Sequence, residues 1–136
     1  MNKEKLVRDL IRDEGMRTDI YEDTVGKQTI GVGRNLTDRG ISEAEAMFML
    51  TNDIEIVEKE LDTRMSWWKT KPADIQLALA NMAFNMGVPT LLRFHKMLAA
   101  IIQDDNDTAA EQALDSKWAE QVGARARRIA ELIRSA

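Results

Sequence analysis

Residues 73–86 read ADIQLALANMAFNM. Placed on a helix, Ile75, Leu77, Ala78, Leu79, Ala80, Met82, Ala83, Phe84 and Met86 leave almost no polar face. A helix apolar nearly all round is expected to be buried on all sides, since any side left open would put hydrocarbon in water. This segment therefore calls for a core of several helices with residues 73–86 at its centre. A chain of 136 residues is long enough to supply that core within one domain. Pro72 suits the first turn of the helix, and Gly87 with Pro89 ends it.

Other helices announce themselves by spacing. Asn2 is placed to cap a first helix on which Leu6, Val7, Leu10 and Ile11 share a face, and Gly15 stops it. Ser42 and Glu45 form a capping box. Met47, Leu50, Ile54, Val57 and Leu61 follow it as a narrow apolar seam on a long helix. Beyond a connector holding Trp67 and Trp68, Leu91, Leu92, Phe94, Leu98, Ile101 and Ile102 mark a fourth helix, closed by residues 104–107. Shorter helices are expected over residues 109–114, 117–121 and 124–133. His95 reads as a surface or helix-start residue.

The helical pattern disappears from residue 19 to about residue 36. Ile20 and Tyr21 suggest a short strand, residues 24–27 a turn, and Gln28, Ile30 and Val32 alternate with Thr29, Gly31 and Gly33 as a second strand. Glycines this dense imply a tight backbone or room for a ligand to approach. The expected fold is α+β and mostly α: a small β-hairpin lobe of about residues 15–60, and a larger helical lobe of residues 1–14 and 61–136, joined by the long helix.

Composition then narrows the chemistry. There is no cysteine, and His95 is the one histidine. Cysteine nucleophiles and disulfide scaffolds are excluded. No serine sits in a strand-to-helix elbow to complete a Ser-His-Asp triad, and a zinc site is improbable with so few His and Cys ligands. No metal or organic cofactor is expected. The net charge is −4, and residues 1–68 hold ten Lys/Arg against fifteen Asp/Glu. That balance argues against general nucleic-acid binding. No apolar run approaches the roughly 20 residues of a membrane span. The charged, periodic N-terminus reads as a helix of the fold rather than a signal peptide, so synthesis in a cytoplasm with no export signal of its own is expected. A monomer is the default.

Acid chemistry must then come from carboxylates. Glu14 lies three residues after Ile11 and seven after Val7, which puts an acid on the apolar stripe. A carboxyl drawn partly out of water keeps its proton to higher pH and can act as a general acid. The plainer reading is a helix-end acid bonded to a backbone amide or an arginine. Asp23 suits a turn; paired with Glu14, it becomes a candidate base that orients a water. Thr29 is ordinary in a strand unless its hydroxyl holds that water. Two carboxyls across a cleft with a polar group to fix a water are the minimum needed to cut a glycosidic bond. Asn81 and Asn85 are either satisfied core amides or cleft-lining groups. Phe84 is core or half-exposed to a sugar. Arg125 and Arg128 share a face of the last helix; they face solvent or bracket Asp13 and Glu14.

Four separated segments carry a resemblance: DEG at residues 13–15, IYEDTVGKQTIGVGRNLT at 20–37, NMAFNMG at 81–87 and SKWAEQVGARARRI at 116–129. In this order they resemble the phage-type lysozymes, the muramidase family of the T-even phage endolysins, over residues 3–134. The resemblance implies a lysozyme-like fold and cleavage of the β-1,4 bond between N-acetylmuramic acid and N-acetylglucosamine in peptidoglycan. It implies Glu14 as general acid, Asp23 as second carboxylate and Thr29 as water holder, with inversion at the anomeric carbon. It also implies substrate contacts at Asn35, Leu36, Phe84, Asn85 and Trp118, and a polar network of Asp13, Asn81, Arg125 and Arg128 behind the acid. Two departures stand out. Arg34 occupies a position where T-even members carry a histidine, so that histidine's salt bridge is not expected, and the hairpin lobe is shorter.

The resulting expectation is an endolysin that lyses bacteria. It would be held in the host cytoplasm until a holin releases it and would then act on the wall. A non-catalytic peptidoglycan-binding domain on the same fold is the alternative. An amidase or endopeptidase is nearly excluded by the missing Cys and His ligands.

Overall fold

The computed structural model describes all residues from Met1 to Ala136. The chain divides into two compact units, Met1–Phe48 and Met49–Ala136.

In the N-terminal unit, helix α1 (Lys3–Glu14) begins where the Asn2 side chain accepts the Lys5 N–H at 3.0 Å. It ends where Gly15, at φ 77°, donates its own N–H to the Ile11 carbonyl. Strands β1 (Arg17–Glu22), β2 (Gln28–Gly31) and β3 (Arg34–Asn35) form one antiparallel sheet in that order. Tyr21 pairs with Thr29, and Ile30 with Arg34. A single-turn helix α2 (Leu36–Arg39) follows, capped by Asn35. The long helix α3 (Glu43–Arg64) opens with the expected reciprocal box: Glu45 N–H donates to Ser42 Oγ at 3.1 Å, and Ser42 N–H donates to Glu45 Oε1 at 2.9 Å. The boundary between the units falls inside this helix.

The C-terminal unit holds the core. After a 3₁₀ turn (Trp68–Thr70) come α4 (Ala73–Met86), α5 (Val88–Leu91), α6 (His95–Ile102), α7 (Asn106–Leu114), α8 (Lys117–Val122) and α9 (Ala124–Arg134). Every buried apolar side chain of the protein lies between Leu61 and Ile133. Helices α4, α6, α7 and α9 supply most of them: Leu79 and Met82, Met97 and Ile101, Ala109 and Ala113, Ile129 and Ile133. His95 is exposed at the start of α6, as expected.

Two expectations need correction. Helix α4 is not buried all round: Ile75, Ala78, Leu79, Met82 and Ala83 are buried, but Leu77 is 57% exposed and Phe84 44%. Those two face an open apolar groove that α4 shares with Leu50, Ile54 and Val57 of α3. The α3 seam lines that groove too, and only Leu61 of α3 is buried. Finally, α1 buries none of its residues; Leu6, Val7 and Leu10 are 40–54% exposed. Apolar spacing states which residues share a face, but not whether a neighbour covers it.

Candidate functional site

Glu14 is the last residue of α1 and is exposed. Within the N-terminal unit no residue of α1 is buried, so the inward-facing acid expected from the apolar stripe is not found there. Its carboxylate is nonetheless placed with care. A Cβ added to Gly33 would lie 2.9 Å from Glu14 Oε2, 3.2 Å from Cδ and 3.4 Å from Cγ. The Glu14 side chain thus rests directly on the Gly33 backbone, in the turn between β2 and β3. Gly33 also has φ +66°, a conformation that side-chain-bearing residues rarely adopt. Both the approach and the turn require glycine here.

Asp23 sits in the turn between β1 and β2 and plays the turn role that its type suggests. Its Oδ1 accepts the N–H groups of Val25 at 2.9 Å and Lys27 at 2.8 Å. The other oxygen, Oδ2, takes no hydrogen bond from the protein. One half of the carboxylate builds the turn, and the other half is available to a water. Thr29, on β2, is 4% exposed and is the only buried residue of the N-terminal unit. Its hydroxyl donates to the Lys27 carbonyl at 3.0 Å. With its proton so committed, the Thr29 oxygen presents only lone pairs. The same short stretch around Lys27 fixes both groups.

The rest of the N-terminal unit locks the hairpins. Asn35 Oδ1 accepts the Asp38 N–H, and its amide nitrogen donates to Asp38 Oδ2 at 2.9 Å, so both ends of Asn35 serve the α2 cap. Leu36 is half-buried in α2. Bonds from Lys27 and Asn35 hold the Asp38 carboxyl below the usual carboxylate range. Asp13 is bound by Arg12 at 2.9 Å. Arg34 does form an ion pair, with Glu45: Nη2–Oε2 is 2.8 Å and Nη1–Oε1 is 2.9 Å. That fork, joined by the Ser42 N–H, lowers the Glu45 carboxyl to about 2. At this position, where no histidine bridge was expected, an Arg34–Glu45 pair stands instead. The Glu45 partner lies eleven residues away, and neither residue has a spacing that announces the pair.

In the C-terminal unit, the expected substrate-facing and network residues fall into two groups. Asn81, Phe84 and Arg125 line the apolar groove of about 640 Å³, together with Lys69 and Gln76. Arg125 Nε donates to Asn81 Oδ1 at 3.0 Å, and its Nη2 to the Asn81 carbonyl. Asn81 is therefore a partnered amide at a groove edge. Arg128 is exposed and lines a smaller hollow with Asn81 and Arg125. Trp118 lies elsewhere: it is 7% exposed, meets Phe94 edge to face at 6.2 Å and donates its indole N–H to Asn85 Oδ1 at 2.8 Å. It borders a second hollow with Arg93, His95 and Lys117. Asn85 is thus tied to Trp118, while Phe84, one residue earlier, opens on the other groove.

Comparison with known proteins gives a consistent picture. The family model described as phage lysozyme matches residues 12–134. The pre-baseplate central spike protein Gp5 of Enterobacteria phage T4 is 30% identical over 91% of this chain. The chain covers only 26% of that protein's length. Probable T4-type lysozymes 1 and 2 of Dictyostelium discoideum are each 26% identical to it. Those matches cover 93% and 90% of this chain, and 92% and 90% of the relatives.

Proposed function

Since the chain belongs to the phage lysozyme family, we propose that it is a peptidoglycan muramidase that cleaves between N-acetylmuramic acid and N-acetylglucosamine with inversion. Glu14 protonates the glycosidic oxygen. Asp23 Oδ2 and the Thr29 oxygen hold a water against the opposite face of the sugar ring, and Asp23 takes its proton as the water attacks. The observation that carries this reading is the shared turn. Asp23 spends one oxygen on the Val25 and Lys27 amides, and Thr29 spends its proton on the Lys27 carbonyl. Two acceptors remain, set by the same few backbone atoms. An inverting mechanism places the two carboxyls ~6.5–9.5 Å apart, with room for that water.

The exposure of Glu14 bears on the mechanism. A sugar lying over Gly33 and Glu14 would displace water from the acid, so substrate supplies the dry environment. We assign no cofactor or metal. In a phage setting the enzyme waits in the host cytoplasm, a holin gives it passage and the wall is its substrate, acted on by a monomer.

Clearing of permeabilised Gram-negative cells tests the reading. Glu14→Gln is expected to lose at least about a hundredfold in rate, the scale of a lost general acid. The released fragments should carry new reducing ends whose first-formed anomer is inverted. A retained anomer overturns the water-activating role of Asp23. The binding-domain alternative gains from one observation, the exposure of Glu14, which removes desolvation as a mark of an acid at work. It predicts that wild type binds purified sacculi and releases no reducing ends.

A further inference from the structure

Strand β3 is only two residues long and pairs with β2 at two positions. So short a strand fixes its own position poorly. Yet the turn it closes carries Glu14, because the acid's side chain lies on the Gly33 backbone. The next residue, Arg34, supplies what the ladder lacks. Its guanidinium grips both oxygens of Glu45, at 2.9 and 2.8 Å, and Nη1 also donates to the Gly40 carbonyl at 3.2 Å. Glu45 is itself held in the capping box of α3 by the Ser42 N–H. A continuous line of contacts runs from the first turn of α3 through Glu45 and Arg34 to Gly33 and the Glu14 carboxylate. The same fork closes the loop that contains α2.

We infer that Arg34, through its two-pronged grip on Glu45, is a positioning residue for Glu14: it fixes the turn on which the acid rests, so that the acid meets the glycosidic oxygen in register. The inference rests on the proposal that Glu14 is the general acid. Arg34 touches no reacting atom. A lysine keeps the charge but has no planar fork, so it cannot reproduce the geometry.

The test compares wild type, Arg34→Lys, Glu45→Gln and Glu14→Gln on soluble peptidoglycan fragments of uniform length. For each we would measure kcat, KM, the pH profile of kcat and the thermal midpoint. Small displacements of a catalytic group are costly, so kcat of Arg34→Lys should fall by roughly ten- to a hundredfold. KM should stay within about twofold, since uniform substrate binding is untouched. The limb of the pH profile that reports the acid should move. Glu45→Gln keeps an acceptor for Ser42 but loses the ionic fork, and should reproduce the loss if Arg34→Lys folds poorly. Adding Arg34→Lys to Glu14→Gln should cost nothing further. A lower thermal midpoint in both variants with kcat and pH profile unchanged overturns the inference and leaves Arg34 a structural residue. If Glu14→Gln matches wild type, the assignment of the acid falls instead, whatever Arg34 does.

Discussion

At the scale of single residues, the turn role of Asp23 and the water-orienting role proposed for it are compatible. Oδ1 is spent on the turn amides of Val25 and Lys27, and the proposed role falls to Oδ2. This separates stability from activity in a way a mutation can read. Asn at position 23 retains an Oδ1 that accepts from Val25 and Lys27, so Asp23→Asn should melt within a few degrees of wild type. Its lysis rate should fall by roughly a hundredfold or more, because the amide is no base. A large drop in the melting midpoint without that loss would return Asp23 to a turn residue. A second residue-scale prediction concerns pH. Glu45 ionises at about 2 in the folded protein because Arg34 and Ser42 bind its charged form. A lowered carboxyl pKa stabilises the fold above its unfolded value, and the contribution is lost as pH falls from the ordinary glutamate range toward 2. Acid titration of stability should therefore be shallower in Glu45→Gln across that window. An unchanged slope would show that the pair makes no net contribution.

At the scale of elements, the local rules succeeded wherever an element carries its own signals. The cap at Asn2, the box at Ser42 and Glu45, and the stop at Gly15 stand where their residue types put them. The elements not anticipated are β3, α2, the 3₁₀ turn and α5, each four residues or fewer. Such pieces are too short to show a period, and Pro89 looks like an end although α5 restarts a helix around it. Helix α1 buries none of its residues, so its caps matter to its stability. Asn2→Ala should cost about 1 kcal/mol of local helix stability. Faster amide hydrogen exchange along α1, with α9 unaffected, would report it.

At the scale of the whole molecule, the two units are held by different means. The N-terminal unit contains no buried apolar side chain, and Thr29 is its one buried residue. Caps, ladders and the Arg34 fork hold it. The C-terminal unit rests on hydrocarbon, with Leu61, Leu79, Met82, Ile129 and Ile133 essentially shut from water. Leu79→Ala should destabilise that unit by about 2–5 kcal/mol, the transfer and cavity cost of a buried leucine, read as a lower denaturant midpoint. Backbone amides of β1 to β3 should exchange more readily than those of α4 and α9, because few buried contacts oppose their opening. By itself, the sequence determined the starts and stops of the helices that carry caps, the hairpin region, the helical core and the residue types able to do acid chemistry; the fourth helix expected from Leu91 to Ile102 is instead split into α5 and α6. These depend on spacing and on neighbours a few positions away. Tertiary structure decided what spacing cannot encode: that the α1 stripe and Glu14 are exposed, that Glu14 lies on Gly33, that Arg34 finds Glu45, and that one flank of α4 opens on a groove. Each of these is a contact, or a missing contact, between segments far apart in the chain, and burial belongs to both partners rather than to either one's pattern.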